Sequence, residues 1–283
     1  MPRLPLHPAA VYGVVKEMRT VAEELQPLVV AGSAAARGLV EALSEGGDPA
    51  ALRDLTGREV TRYDLQGAAL LLYVVEGSQP TQEDEKALKL ADRSDVEVVC
   101  VLVGAAERPP DVPFVKATSV VLAPEGQPPP VDEIAELVAA LTAENGYGLA
   151  ARLPVLRPAV VETIVKRFSR QNGILGVAVF VPGADFPVLT LNQLRMVFRM
   201  AAAYGEEIDR ERIPEILAVI GAGLGFRTIA REALGLVPGL GWAIKGGVAY
   251  VGTKALGKAA SAYFEQGGAD SLARAADAVR SRS

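Results

Sequence analysis

Ala68-Ala-Leu-Leu-Leu-Tyr-Val-Val75 decides the fold. It is a continuous apolar run with no polar alternation. Such a run is the mark of a strand covered on both faces, as in the middle of a parallel sheet. Gly77-Ser-Gln-Pro-Thr81 follows as a turn. Thr81 and Asp84 then have the spacing of a capping box and open a helix to about Ala91.

The pattern repeats on either side. Leu28-Val-Val-Ala-Gly32 reads as a short buried strand, followed by a helix over Ser33–Leu43 that ends near Gly46-Gly47. Asp48-Pro49 reads as the start of a short helix through Leu55. Val96–Val103 is another buried strand, Thr118–Leu122 a shorter one, and Val131–Leu141 a helix. Upstream, Val11, Val14, Val15 and Met18 fall on one face of a helix over Pro8–Glu24. Strands alternating with helices predict an α/β fold with a doubly wound, mostly parallel sheet.

The second half has another texture. Asn145-Gly-Tyr-Gly148 and Pro154–Pro158 read as the boundary, giving an α/β domain over 1–146, a Gly/Ala-rich helical domain over 147–265 and a polar tail over 266–283. Ala159–Gln171 and Val188–Tyr204 are amphipathic helices. Ile213–Phe264 reads as a helical hairpin bent at Gly235-Leu-Val-Pro-Gly239. Gly221 and Gly225 on its first arm, and Gly246, Thr253 and Gly257 on its second, form stripes of small residues. Counted with Gly252, the five interior glycines of the hairpin cost on the order of 4–5 kcal/mol relative to alanine. Close backbone packing is what would offset that loss. Val181-Pro-Gly183 and Val237-Pro-Gly239, 56 residues apart, hint at an internal repeat of two hairpins.

Charge divides along the same line. Residues 1–150 carry a net −11 and residues 151–283 a net +6, within a total of −5. Half of all residues are hydrophobic, which excludes a disordered chain. The basic half is suited to an anionic partner, such as anionic lipid or the acidic half. Nucleic acid is not expected, because the basic residues lack interleaved aromatics. Lys166, Arg167, Arg170 and Lys245 are the candidate lipid contacts, and Lys166, Arg167 and Arg170 also complement a helix C-terminus.

Cys100 is the only cysteine and His7 the only histidine. Cys100 lies inside an apolar strand and reads as a packed thiol. A histidine triad or a zinc site has almost nothing to be built from. No metal or cofactor is expected. The Pro-rich start lacks the apolar core of a secretory signal, and the lone cysteine fits a reducing cytosol. In the second half the longest charge-free runs are Gln171–Ala184, Ile216–Phe226 and Ala233–Ile244, of 14, 11 and 12 residues. A spanning helix needs about 20, so a multi-span protein is not established.

The element order of the first half resembles the small bacterial GTP-binding domains. Leu28–Leu39 stands where they place the phosphate loop, and Leu70-Leu-Leu-Tyr-Val-Val-Glu-Gly77 resembles their "LVLFVVDG" strand. Their loop runs Gly, four residues, then Gly-Lys-Ser/Thr, the lysine reaching phosphate and the hydroxyl reaching magnesium. Counted from Gly32, this chain has Arg37, Gly38 and Leu39 there. Their Asn-Lys-x-Asp is replaced by Gly104-Ala-Ala-Glu107. The resemblance therefore leaves a vestigial nucleotide site of Gly32, Ser33, Arg37, Gly38 and Glu107, with no catalytic residue. Asp64-Leu-Gln-Gly67 matches Asp-x-x-Gly by letters alone. Only 28 residues separate Leu39 from Ala68, which suggests that the switch segment and a strand pair are deleted.

Leu153-Pro-Val-Leu-Arg157, Asn172-Gly-Ile-Leu-Gly176, Pro182-Gly-Ala-Asp-Phe-Pro187, Asn192-Gln-Leu-Arg-Met196 and Pro238-Gly-Leu-Gly-Trp-Ala-Ile-Lys245 resemble the bacterial GTPase-associated domain of unknown function, the YcjF-like family. The match covers roughly residues 150–265. The resemblance implies a non-catalytic scaffold or partner of a GTPase system on the cytoplasmic side of the bacterial membrane. A soluble cytoplasmic homo-oligomeric interaction module and a residual nucleotide-binding switch are the alternatives.

Overall fold

The computed structural model of the chain describes residues 12–14, 16, 26–105, 107, 109, 111–178, 185–206 and 241–267; of 178, 185–187 and 241–245 it gives the backbone course alone. The chain forms two compact units, one of Val21–Val160 and one of Met1–Thr20 with Val161–Ser283.

The first unit is built on a five-stranded parallel sheet in the order β2-β1-β3-β4-β5. The strands are β1 (Leu28–Gly32), β2 (Leu52–Thr56), β3 (Leu70–Glu76), β4 (Val98–Val103) and β5 (Val120–Ala123). β1 and β4, and β3 up to its terminal Glu76, are apolar because helices cover both faces of the sheet. Successive side chains alternate between those faces. Ala31, Tyr73 and Cys100 share one core with Ala87, Leu88 and Ala91 of α3 (Gln82–Arg93). The other face, which carries Val30, Leu72 and Val101, lies under α1 (Ala36–Ser44) and α4 (Val131–Leu141).

The expected capping box at α3 is present. Asp84 accepts hydrogen bonds from the Thr81 backbone N–H at 2.7 Å and from its hydroxyl at 2.8 Å. Its other oxygen accepts from the Tyr73 hydroxyl at 2.9 Å, so one carboxylate ties the helix start to β3. Burial, then this hydrogen bond, raises the Tyr73 pKa.

The stretch 48–68 departs from expectation. Asp48 caps only a three-residue turn, Pro49–Ala51, and Leu52–Thr56 pairs with β1 as β2 instead of continuing a helix. Five residues gain a full ladder to β1 there, and tertiary pairing overrides weak local propensity. A single parallel strand and the short α2 (Arg62–Leu65) occupy the place where a strand pair was expected to be missing. Asp64 caps α2, accepting from the Thr61 N–H at 2.9 Å, so its Asp-x-x-Gly setting is a turn. Asn145–Gly148 is likewise drawn into a helix, α5 (Gly146–Arg152), with Tyr147 buried.

The second unit contains α6 (from Arg157, in the first unit, to Ala178), α7 (Asp185–Ala203) and α8 (Gly241–Glu265). Gly246 meets Gly173 and Gly257 meets Val165, so α6 and α8 run antiparallel. Gln193 donates to Thr253, and Tyr204 stacks on Phe264 at 5.6 Å, so α7 and α8 run parallel. Thr253 is a buried hub: its hydroxyl accepts from Asn172 at 2.9 Å and Gln193 at 3.1 Å, and donates to the Ala249 carbonyl at 2.7 Å. The second arm of the expected hairpin is thus a helix, and Gly246 and Gly257 on it pack on α6. The first arm, with Gly221 and Gly225, and both Val-Pro-Gly segments lie outside the described residues. Among the described residues, no helix is long and apolar enough to cross a membrane.

Candidate functional site

Each unit holds one candidate. The first is the carboxyl edge of the sheet. In the order 2-1-3-4-5, ligands bind where connections diverge, outside the ends of β1 and β3. Gly32 ends β1 with φ +108°, and a Cβ on it would stand 2.0 Å from the Val74 carbonyl oxygen. Only glycine fits. That carbonyl accepts the Ser33 N–H at 2.9 Å, bridging β1 to β3 across the crevice. Ala36 N–H bonds to the Ser33 carbonyl and Arg37 N–H to that of Ala34, so these donors close the turn internally.

Gly32, Ser33, Arg37 and Gly38 therefore gather at the end of β1. Glu107 lies in the segment after β4, a strand that stands two strand spacings, about 10 Å, from β1 across β3. Arg37 and Gly38 are exposed, and Leu39 is 1% exposed in the core. The field of Arg37 reaches Asp54 of β2, whose carboxyl is held below its usual range chiefly by hydrogen bonds from Thr56, with Arg37 and Arg58 adding to it. The Ser33 hydroxyl is enclosed without a partner. At the opposite edge of the sheet, Gln26, Ala69, Leu141, Asn145 and Arg152 line a cleft of about 260 Å³.

The second candidate is a groove of about 520 Å³ between α6 and α7. Arg167, Phe168, Gln171, Ile174 and Leu175 come from α6, and Asn192, Arg195 and Arg199 from α7. The spacings explain why these residues meet. Positions 167, 171 and 174 recur every three or four residues on α6, as do 192, 195 and 199 on α7, giving one stripe per helix. Asn192 donates to the Asn172 side-chain oxygen at 3.1 Å, which sets the level of one helix on the other. The Arg199 guanidinium sits 5.5 Å from the Phe168 ring centroid, a cation–π contact. The Arg195 Nε–H is enclosed and has no hydrogen-bond acceptor.

Sequence reasoning points to only one of these arginines. Arg167 lines the groove, whereas Lys166 pairs with Glu162 at 2.8 Å on the exposed side and Arg170 is exposed one turn further on. The side chain of Lys245 lies outside the described residues. Arg195 and Arg199 escape a reading of α7 that follows its core face alone. Their spacing from Asn192 is the signal that finds them. Among the described residues no cluster of His, Cys, Asp and Glu is arranged to hold a metal ion. No protein-family model matches the chain, and no curated protein matches it either.

Proposed function

We propose that this chain is a non-catalytic scaffold, a partner of a GTPase system held at the cytoplasmic face of a bacterial membrane through its helical unit. The observation that carries the membrane part is the arginine groove with its apolar margin. Ile174 at its edge is 68% exposed, and Val188, four residues before Asn192 on the same stripe of α7, is 46% exposed. Cations behind exposed aliphatic residues are what an interfacial helix presents to anionic lipid.

The non-catalytic part is supported by the end of β1. Leu39, at the position of the magnesium-binding hydroxyl, is a core residue. Gly38, at the position of the phosphate-binding lysine, has no side chain to reach with, and the field of Arg37 beside it falls on Asp54. The GTPase connection rests on the two sequence resemblances.

Flotation of the full chain with phosphatidylcholine vesicles, with and without anionic lipid, tests the membrane reading. Retention on the anionic vesicles is expected; recovery of all protein in the soluble fraction overturns it. Turnover of GTP by the pure chain with magnesium would overturn the non-catalytic reading.

A further inference from the structure

We infer that the exposed face of α3, with the Phe114 ring at its edge, is a docking surface for a short acidic peptide segment of a partner protein, one that carries an aliphatic side chain among its carboxylates. This concerns the α/β unit and is independent of the membrane contact above. It starts from a turn. The Val115 N–H donates to the Val112 carbonyl at 3.1 Å, closing the four-residue turn Val112-Pro113-Phe114-Val115. Pro113 fixes a negative φ at the second position, and Phe114 has φ +64° at the third. That combination is a type II turn, whose third position favours glycine or asparagine. A bulky side chain there is strained. Val112 and Val115 are buried, whereas Phe114 is 46% exposed. The turn holds a ring at the surface against its own backbone preference. Strain kept at an exposed aromatic residue points to contact with a partner.

α3 supplies the charge. Its buried residues are Ala87, Leu88 and Ala91. Lys86, Lys89 and Arg93 recur at three- and four-residue spacing on the exposed side. The stripe they form is about 10 Å long. None of the three has an ion-pair partner among the described residues. The Lys89 ammonium lies 5.8 Å from the Phe114 ring centroid, so the cations and the ring make one patch. It stands on a half-chain of net −11.

The surroundings select the occupant. Exposed Glu85 and Asp92 flank the stripe on α3. A bilayer or a nucleic-acid backbone presents a continuous array of phosphates, which would meet those carboxylates as well as the cations. Polybasic segments that hold lipid use about 4–8 Lys/Arg in a cluster, more than this stripe has. A peptide can set separate carboxylates against the three cations and an aliphatic side chain against the ring.

The test measures binding of the full chain to two fluorescent synthetic peptides of equal charge, one alternating glutamate with leucine and the other glutamate with serine. The leucine peptide is expected to bind about tenfold tighter, because the ring covers its side chain. Phe114→Asn is expected to abolish that preference without lowering the urea midpoint of the α/β unit, since asparagine suits the turn. Lys86→Glu combined with Lys89→Glu, at two exposed positions outside the core, is expected to weaken both peptides by about tenfold or more. Vesicle retention of that double variant is expected to equal that of the unaltered chain.

Equal binding of the two peptides, or a preference that survives Phe114→Asn, overturns the inference. So does a lowered urea midpoint in Phe114→Asn, which would make the ring a cover for the core. Loss of vesicle retention in the double variant with peptide binding unchanged would assign the stripe to anionic lipid and overturn the peptide.

Discussion

Gly246 and Gly173 are in backbone contact across α8 and α6: a Cβ on Gly246 would stand 2.8 Å from the Gly173 carbonyl oxygen and 2.5 Å from Val177 Cγ2. One turn of backbone cannot move without its neighbour. Overpacking a core typically costs about 1–3 kcal/mol, more than the roughly 1 kcal/mol of helix propensity that alanine adds. Gly246→Ala should therefore destabilise the helical unit by about 1–2 kcal/mol. Gly247→Ala, with nothing within 4 Å of its added Cβ, should stabilise it by up to about 1 kcal/mol. Urea melts followed by circular dichroism read both, and equal shifts would sink the contact.

Gly32→Ala should be more damaging still. Its Cβ would overlap the Val74 carbonyl, and its φ of +108° is strained for any side chain. Strain of this kind costs about 1–3 kcal/mol even before the overlap. The expected readout is poor expression or a melting transition lowered by several degrees, with the effect confined to the α/β unit in hydrogen exchange.

Thr253→Val keeps the shape of the hub and deletes its oxygen. The amides of Asn172 and Gln193 then lose their acceptor in a buried place. An orphaned donor costs about 1–3 kcal/mol, so a loss of about 2 kcal/mol or more is expected. Thr253→Ser, which keeps the hydroxyl, should recover most of it in the same denaturant melts.

Cys100 is fully buried, and burial, with a smaller part from Asp84, pushes its thiol up to about 12. The fold therefore prefers the protonated thiol. Its contribution is whole below the ordinary pKa of 9.0 and is lost as pH rises from there towards 12. A thiol reagent at pH 8 should label the native chain no faster than the α/β unit opens. Rapid stoichiometric labelling without urea would contradict this, and Cys100→Ala should flatten the alkaline loss of stability.

Asp54 and Asp64 titrate below their usual 3.8, both chiefly through side-chain hydrogen bonds from Thr56 and Thr61. A depressed carboxyl stabilises above the unfolded pKa and loses that contribution as pH falls through the folded one. NMR titration midpoints below 3.8 are expected for both groups, and Thr56→Val or Thr61→Val should move the corresponding midpoint upward.

The central strands are legible in the sequence because burial on both faces leaves an unbroken apolar run, as at Leu70–Val75 and Val98–Val103. The cap of α3 is legible because Thr81 and Asp84 stand three apart. The same pattern at Thr61 and Asp64 is easily passed over, since it opens only four helical residues. β2 is hidden for a different reason: Arg53 and Asp54 interrupt it, and only its ladder to β1 makes it a strand. The groove cannot be read from either helix alone. Arg167 and Arg195 are 28 residues apart, and the level set by Asn172 and Asn192 brings them together.

β2 has one further consequence. It is the outermost strand on its side of the sheet, and it carries Arg53 and the exposed Asp54. A second chain that tried to lengthen the sheet there would have to strip water from both charges. Growth into fibrils or strand-swapped pairs is discouraged on that flank.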